Sequence, residues 1–530
     1  MGVIEIGDVD KGDELPGRPV SLWLATTPGT NYPALEGDVS VDVAVLGGGI
    51  AGLATAYMLK QAGATVAVLE AGRVVESVTG NTTAKITSQH GLVYDQLISD
   101  FGEERARLYG EAQEAAKEKI ASLVAQLGVD CDFRRTSAYT YTLDEREREQ
   151  VEREADAAKR LGLPASYTED TDLPFGVKAA VRFDNQAQFH PRKYLLALAE
   201  TIPGGGSHIF EGTRALDIEE AETCTVKAAN GTVRAKSVVV STHFPFKDPN
   251  IYFAAMYPTR SYVLGCRLNG PVPQGMYLST GSPHRSIRNN PYEDGEIVML
   301  GGEHHKTGQD GDTRERYQRL EEWARANFDV RSIEFRWSTQ DNNTVDGVPY
   351  IGKLSSGSER LYVATGFKGW GMTNSHVAAL LLTDMIQGRE NPWAEVFDPS
   401  RFKPVTSARD FLRENMNVAK EFMADRVSTP ELKSLDDIPP GHGEVVRWQG
   451  ERVAVYKDER GAVSACSAVC THMGCIVHWN SAEKSWDCPC HGSRFDHDGR
   501  VIQGPANEDL EAKPLGPTAG EDEQRGNGAK

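Results

Sequence analysis

Two short segments near the C-terminus each offer one thiol and one imidazole. Cys470 and His472 form a C-x-H pair, and Cys488 and His491 form a C-x-x-H pair. Thiolates are suitable ligands for one ferric iron and neutral imidazoles for a second, so this set could hold a [2Fe–2S] cluster. A zinc site with two cysteines and two histidines is the alternative.

Two further cysteines stand beside these ligand pairs. Cys475 follows a glycine and Cys490 follows a proline, at the tips of the two segments. A zinc site would not need this additional pair, which favours the cluster. The two patterns resemble the ligand boxes of the Rieske family, and the resemblance covers about residues 436–515.

The resemblance implies a role for each of these residues. Cys470 and Cys488 would bind the inner iron, and His472 and His491 the solvent-facing iron. Cys475 and Cys490 are similar to the inter-loop disulfide of the quinol-oxidising Rieske proteins, a pair that the ring-hydroxylating oxygenases lack. Such a bridge would clamp two loops that have little core of their own.

Phe495 stands where the quinol-oxidising proteins usually have a Tyr whose hydroxyl bonds a ligand sulfur. Without that donor the reduced, more negative cluster is less stabilised. We therefore expect a reduction potential in the lower half of the roughly −150 to +300 mV Rieske range.

A second motif, near the N-terminus, predicts a dinucleotide site. The apolar run 41–46 reads as a buried strand, the sequence Gly-Gly-Gly-Ile-Ala-Gly at 47–52 opens a helix to about Gln61, and a strand at 65–69 ends at Glu70. Glycines at this spacing allow a tight turn and close approach of a pyrophosphate to the helix N-terminus. Glu70 would accept a hydrogen bond from a ribose hydroxyl.

Two later segments indicate which dinucleotide binds. Residues 346–352 and 361–372 resemble the C-terminal flavin box of the D-amino-acid-oxidase-like family, which includes glycine, sarcosine and γ-glutamylputrescine oxidases. The alternative is that the glycines of these segments only form turns and contact no flavin. The resemblance covers roughly residues 40–400 and implies FAD. The predicted FAD-binding residues are Gly47, Gly49, Ile50, Ala51, Gly52, Glu70, Ala71, Arg73, Thr82, Thr83, Ala84, Lys85, Gly366, Gly369, Gly371, Met372 and Thr373.

Lys368 is the candidate catalytic residue, because a lysine next to Gly369 could face the flavin and tune it or assist reaction with oxygen. The alternative is a solvated lysine in a loop.

The predicted fold class is α/β followed by all-β: a Rossmann-like FAD-binding domain with a mixed-sheet substrate domain, then a Rieske domain. We expect residues 1–40 to be a loose leader, 94–161 to be helical, and a helix to begin at His376. The predicted divisions are the leader 1–40, an oxidoreductase domain 41–404 (FAD-binding parts 41–95, 175–245 and 335–400; substrate parts 96–174 and 246–334), a linker helix 405–428, the Rieske domain 429–516 and a disordered tail 517–530.

Composition excludes several classes of partner. The 530 residues have a formal net charge of −19, which argues against nucleic acid or an anionic membrane surface as partner. The N-terminal residues lack the basic and apolar regions of a signal peptide, so we expect a cytoplasmic protein without a membrane anchor. The sequence is compatible with a homo-oligomer.

The combination of centres predicts an oxidoreductase. A flavin can take up two electrons together, whereas a Rieske cluster carries one at a time. The resemblance implies an amine or amino-acid substrate at the flavin, with electrons leaving through the cluster to an external one-electron acceptor. The alternatives are flow from a one-electron donor through the cluster to the flavin, for a reductase or monooxygenase reaction, and an electron-transfer or redox-sensing protein.

We expect the FAD to be non-covalent. No Cys lies near residues 337–341, and Lys85 occupies roughly the place where some relatives carry a linking His. Acid precipitation of the purified protein should leave the yellow chromophore in the supernatant; colour retained on the pellet would contradict this.

Overall fold

The computed structural model describes residues 15–250, 252–401, 416, 418, 429–432 and 434–515. The chain forms two compact units. Unit 1 comprises residues 1–252, 260–304 and 316–403, and unit 2 comprises 253–259, 305–315 and 404–530. The predicted tail lies outside the described residues, as does the predicted linker helix apart from positions 416 and 418.

An eight-stranded sheet in unit 1 carries the dinucleotide motif. Its main path runs β16-β17-β10-β1-β2-β7, with β9 on β10 and β8 on β9. The pairs from β17 to β7 are parallel, and the last four residues of β1 are buried, as expected for a central parallel strand. The strands are β1 (Gly37–Leu46), β2 (Val66–Leu69), β7 (His208–Phe210), β8 (Asp217–Glu219), β9 (Cys224–Ala228), β10 (Gly231–Val240), β16 (Tyr350–Lys353) and β17 (Leu361–Thr365).

The second sheet is mixed and has nine strands. Its order is β15-β11-β14-β13-β12-β4-β6-β3, with β5 on β6, and β12 pairs with β4 in parallel. The strands are β3 (Lys85–Ile86), β4 (Arg134–Thr142), β5 (Ala165–Thr168), β6 (Ala179–Gln188), β11 (Met256–Leu268), β12 (Met276–Ser279), β13 (Ser286–Tyr292), β14 (Gly295–Lys306) and β15 (Val330–Thr344).

The helices connect and cover these strands. Helix α2 is buried from Ile50 to Leu59, which is typical of a helix that is apolar on all sides. The helices are α1 (Leu22–Ala25), α2 (Ile50–Gln61), α3 (Tyr94–Phe101), α4 (Glu103–Leu127), α5 (Arg148–Arg160), α6 (Pro191–Glu200), α7 (Tyr252–Ala255), α8 (Arg314–Asn327), α9 (Gly371–Ile386) and α10 (Ala394–Phe397).

The expectation of a loose leader is wrong for residues 15–36. Trp23 is fully buried, and its indole N–H donates to the carbonyl of Thr82 at 2.6 Å. Leu15 and Leu22 are also buried. The segment is ordered because a few large apolar side chains outweigh its Gly and Pro content.

Two other expectations need correction. The charged stretch 94–161 is α-helical only in α3, α4 and α5, since strand β4 interrupts it with alternating Tyr and Thr residues that favour a pleated strand. Helix α9 begins at Gly371 rather than His376. The glycines there concealed the helix start because glycine is unfavourable inside helices.

Unit 2 contains two antiparallel sheets, with orders β18-β19-β20 and β21-β22-β23-β24. It also includes residues 253–259 and 305–315, which the sequence assigned to the substrate part of the oxidoreductase domain. Its strands are β18 (His442–Trp448), β19 (Glu451–Lys457), β20 (Val463–Ser467), β21 (His478–Asn480), β22 (Ser485–Asp487), β23 (Arg494–Asp496) and β24 (Val501–Gln503).

Within the described ranges, no helix has both the length and the apolar composition that a transmembrane span requires.

Candidate functional site

The glycines of the first motif lie where the backbone is packed too closely for a side chain, as their spacing predicts. Gly47 has φ +102°, and a Cβ there would lie 2.6 Å from the carbonyl oxygen of Ser241. A Cβ at Gly52 would lie 1.8 Å from the carbonyl oxygen of Gly47. Only glycine lets α2 approach the turn after β1 this closely.

The N-terminus of α2 is available to an anion. The N-cap residue is Gly49, so no capping side chain occupies the helix N-terminus. The Ile50 N–H donates to Thr79 Oγ1 at 3.2 Å. Because the first amides of a helix lack intrahelical partners and lie at its positive end, a pyrophosphate is stabilised here. This geometry fits the phosphates of FAD.

Glu70 follows β2 directly and lies beside the glycine turn. Its carboxylate accepts hydrogen bonds from the N–H of Gly48 at 2.7 Å and of Gly72 at 2.8 Å. Burial raises the pKa of this carboxyl. Ala71 and Arg73, which follow it, are exposed, and their predicted contact with FAD stays a prediction.

The predicted FAD-binding segment 82–85 is held in place by buried cations. Arg288, fully buried, donates to the carbonyl oxygens of Thr83 at 2.8 Å and Ala84 at 2.7 Å. Lys85 Nζ donates to Tyr277 O at 2.6 Å and Ser286 Oγ at 2.7 Å. Burial, and then the charge of Arg288, lower the pKa of Lys85 to about 7. The segment is therefore anchored to β12 and β13 of the mixed sheet.

The C-terminal glycine segment turns between β17 and α9. Gly366 and Gly369 have φ values of +76° and +78°, and Met372 and Thr373 are buried in the first turn of α9. A Cβ built on Gly371 would meet no protein atom within 4 Å. Since the protein itself leaves space there, this glycine fits close approach by a bound flavin.

Asp341 is a polar group at this segment to which the sequence analysis gave no role. It lies on β15, is half-buried, and accepts a hydrogen bond from the Gly369 N–H. Burial raises the pKa of its carboxyl to about 6. Lys368 is exposed, has φ +50° and donates its backbone N–H to Asn342 O at 3.1 Å; its catalytic role stays a prediction.

His90 is a second group that sequence reasoning missed. Its ring stacks on Trp370 with centroids 4.8 Å apart, and its nitrogens lie 2.6 Å from the Tyr109 hydroxyl and 3.1 Å from Thr373 Oγ1. Burial lowers the pKa of this imidazole to about 3. His90 therefore holds Trp370 and the start of α9 as a neutral side chain. No local pattern marked it, because its partners are distant in sequence.

In unit 2 the two ligand segments form similar loops. In the first, the N–H of Cys470 donates to Cys475 O at 2.8 Å and that of Gly474 to Cys470 O at 2.9 Å. In the second, the N–H of Cys488 donates to Ser493 O at 2.8 Å and that of Gly492 to Cys488 O at 3.1 Å. Each loop thus presents one thiol and one imidazole from a closed turn.

The four predicted ligands meet between these loops. A hydrogen bond joins the thiols of Cys470 and Cys488, and it is the largest cause that lowers the pKa of Cys470 to about 7. The rings of His472 and His491 lie 5.1 Å apart. His491 Nδ1 is buried, and no described residue is its hydrogen-bond partner; burial lowers the pKa of the imidazole to about 3. A neutral imidazole with an unused nitrogen fits an iron ligand.

Cys475 and Cys490 form a disulfide between the loops. Their sulfurs and that of Cys488 lie within 4.8 Å of one another. Sulfurs joined in a disulfide are not thiolates, however, so this trio is not a metal site. The bridge instead holds the loops that carry the other four residues.

Comparison with known proteins identifies two families along the chain. The profile of the FAD dependent oxidoreductase family DAO matches residues 42–385, and that of the Rieske [2Fe-2S] domain matches residues 429–514. The chain belongs to the DAO family of FAD-dependent oxidoreductases and carries a C-terminal Rieske domain. Its cofactors are FAD and a [2Fe–2S] cluster, which confirms the predicted fold class and enzyme class.

Individual relatives share this organisation to different extents. The chain is 39% identical to the Rieske 2Fe-2S iron-sulfur protein YhfW of Bacillus subtilis (strain 168), over 93% of this chain and 97% of that protein. It is 23% identical to gamma-glutamylputrescine oxidoreductase of Escherichia coli (strain K12), over 69% and 87%. Among solved structures, glycine oxidase from Geobacillus kaustophilus matches with a TM-score of 0.59 and 19% identity, over 69% of this chain and all of that one.

The space at Gly371 provides a test of the flavin contact. We expect Gly371→Ala to fold normally but to bind FAD at least about ten-fold more weakly, because the new methyl group would occupy space that the flavin needs. Gly176→Ala is the matched control, since a Cβ there also meets no atom within 4 Å. Affinity should be measured by flavin fluorescence; equal affinity in both variants would contradict the contact.

Phe495 gives a test of cluster tuning. This residue is fully buried in the core that also contains Cys470 and Cys488. We expect Phe495→Tyr to raise the reduction potential by about 40 mV, because one added hydrogen bond of about 1 kcal/mol would favour the reduced cluster. Redox titration followed by EPR measures the shift; an unchanged or lower potential would show that the hydroxyl does not reach a cluster sulfur.

Proposed function

We propose that the protein oxidises a small amine or amino-acid-like molecule at FAD and passes the electrons singly through the Rieske cluster to an external acceptor. One observation carries the proposal: a single chain combines an oxidoreductase domain of the DAO family with a complete set of cluster ligands. The names of gamma-glutamylputrescine oxidoreductase and glycine oxidase support a substrate with a C–N bond.

Each cofactor supplies a different kind of electron transfer. Bound FAD accepts two electrons with the hydrogen removed from a C–H bond, whereas the cluster accepts one electron at a time. The chain's own residues would hold these groups. Arg288 fastens the segment 82–85, His90 holds the beginning of α9, and the Cys475–Cys490 disulfide joins the cluster loops.

Asp341 supports an amine as the substrate. Its carboxylate is half-buried beside Gly369, and among the described residues it forms no ion pair. A carboxylate in partly desolvated surroundings is stabilised by a cation. The ammonium group of a substrate would supply this charge, and the ionised carboxylate could accept its proton before the C–N bond is oxidised.

Anaerobic mixing with candidate amines tests the proposal. We expect a substrate to bleach the flavin absorbance first, after which the EPR signal of the reduced Rieske cluster should appear. Bleaching by a reduced ferredoxin, together with failure of every amine, would instead support flow from cluster to flavin. If no compound changed the flavin spectrum, an electron-transfer or sensing role would be favoured.

The same mixing experiment tests Asp341. Because its pKa is raised to about 6, the carboxylate is charged above that pH and loses its charge as the pH falls below it. The apparent affinity for a cationic amine should therefore fall below about pH 6. Asp341→Asn should weaken amine affinity at least ten-fold at pH 7 and remove this dependence. The control is Asp294→Asn, since the Asp294 side chain is 97% exposed.

A further inference from the structure

We propose that residues 18–35 form a strap that holds residues 80–85 in the conformation that binds FAD, so that the strap governs how fast FAD is released. Trp23 is its central positioning residue. This role does not depend on the proposed substrate or electron acceptor; it depends on the predicted contact of residues 82–85 with FAD. The strap precedes the residues that match the oxidoreductase family, 42–385, so the family profile assigns it no role.

Five successive backbone carbonyls, those of residues 80–84, each accept a hydrogen bond from a side chain that is distant in sequence. Two of the donors belong to the strap. Ser21 Oγ donates to Gly80 O at 2.5 Å, and the Trp23 indole N–H donates to Thr82 O at 2.6 Å. The other three carbonyls are held from the mixed sheet, in the pairs Trp337 with Asn81 O, Arg288 with Thr83 O and Arg288 with Ala84 O.

Fixing these carbonyls also fixes the direction of the neighbouring amides. A trans peptide unit is planar, and its C=O and N–H groups point in opposite directions. Because the carbonyl oxygens of residues 80–84 point toward the side chains that hold them, the N–H groups of the same peptide units point to the other side. Amides that are already oriented can bind an acceptor such as a phosphate without a further ordering cost.

Trp23 links the strap to the donors of the mixed sheet. Its side chain is fully buried. The guanidinium of Arg288 lies 5.3 Å from its ring centroid, and the ring of His190 packs edge-on against it with centroids 4.7 Å apart. A ring packed between a cation and an imidazole has little freedom to move, so its N–H is held at the Thr82 carbonyl.

The strap begins at the edge of the mixed sheet. The Arg18 N–H donates to Glu334 O at 3.0 Å, and the Arg336 N–H donates to Arg18 O at 2.8 Å. The Arg18 guanidinium also lies over the ring of Phe335, 4.5 Å from its centroid. This end of the strap is therefore fastened to β15.

The strap ends beside the predicted ribose-binding residue. The Tyr32 N–H donates to Glu211 Oε2 at 2.9 Å, and the Leu35 N–H donates to Thr213 Oγ1 at 3.0 Å. The Thr213 N–H in turn donates to Glu70 O at 2.8 Å. The strap is thus fastened at both ends within unit 1, and between these ends it holds residues 80–82.

Loss of one strap donor would let residues 80–85 sample conformations that do not bind FAD. The fraction of the protein that is competent to bind falls, and the affinity falls with it. Local opening of the site also becomes easier, so bound FAD leaves faster.

The test uses the full-length protein with both cofactors. Trp23→Phe keeps a buried aromatic ring but removes the indole N–H. We expect this variant to release FAD at least five-fold faster than the unmodified protein, measured as the rise in flavin fluorescence after dilution. Tyr94→Phe is the matched control, because it removes a fully buried hydroxyl that donates to Ser88 O, also at 2.6 Å; it should change the rate less than two-fold.

Ser21→Ala removes the other strap donor, and we expect it to release FAD at least three-fold faster. A second readout needs no FAD release. Hydrogen exchange followed by mass spectrometry should show faster exchange of residues 81–85 in both strap variants, but not in Tyr94→Phe. An unchanged Rieske EPR signal in each variant would show that unit 2 is intact.

The proposal is overturned if Trp23→Phe and Ser21→Ala release FAD at the rate of the unmodified protein. It is also overturned if Tyr94→Phe speeds release as much as they do, since the effect would then be general destabilisation. No amine is used in these measurements, so they are independent of the substrate.

Discussion

The contact between Gly52 and the carbonyl oxygen of Gly47 determines where the first cofactor can bind. It brings α2 against the end of β1, so that the N-terminal amides of the helix meet the carboxyl edge of the parallel sheet. The second glycine segment joins β17 to α9 in the same sheet, two strands from β1. Both parts of the flavin site therefore depend on backbones that approach more closely than any side chain would allow.

Around this framework, burial determines the chemistry of the polar groups. Lys85 donates to neutral oxygens, and burial lowers its pKa to about 7, while burial also keeps His90 neutral. The pKa of Asp341 is raised to about 6, and its hydrogen-bond donor is a backbone amide. Desolvation is the largest cause in all three cases.

Unit 2 positions its cluster ligands in a different way. Its ligand loops are short, and a disulfide together with paired backbone turns holds them in place. It also takes residues 253–259 and 305–315 from the part of the chain that matches the oxidoreductase family. With these segments in unit 2, the two ligand loops differ in their surroundings. Other parts of the chain pack against the second loop, whereas the first loop has exposed apolar residues.

Local patterns were sufficient where neighbouring residues carry the chemistry. The cluster ligands, the glycine motif and the strands and helix around it were predicted from spacing together with the resemblance to known families, because each depends on residues close together in sequence. The roles of Asp341 and His90 were not predictable in this way. Their partners Gly369 and Trp370 are separated from them by tens to hundreds of residues, so only chain folding brings them together. The same reason explains Trp23, whose burial the composition of residues 1–40 concealed.

The sequence by itself determined which cofactors can bind, since their ligands form compact motifs. The tertiary structure decided which ligand is covered and which charge is desolvated, because exposure is a property of the packed chain.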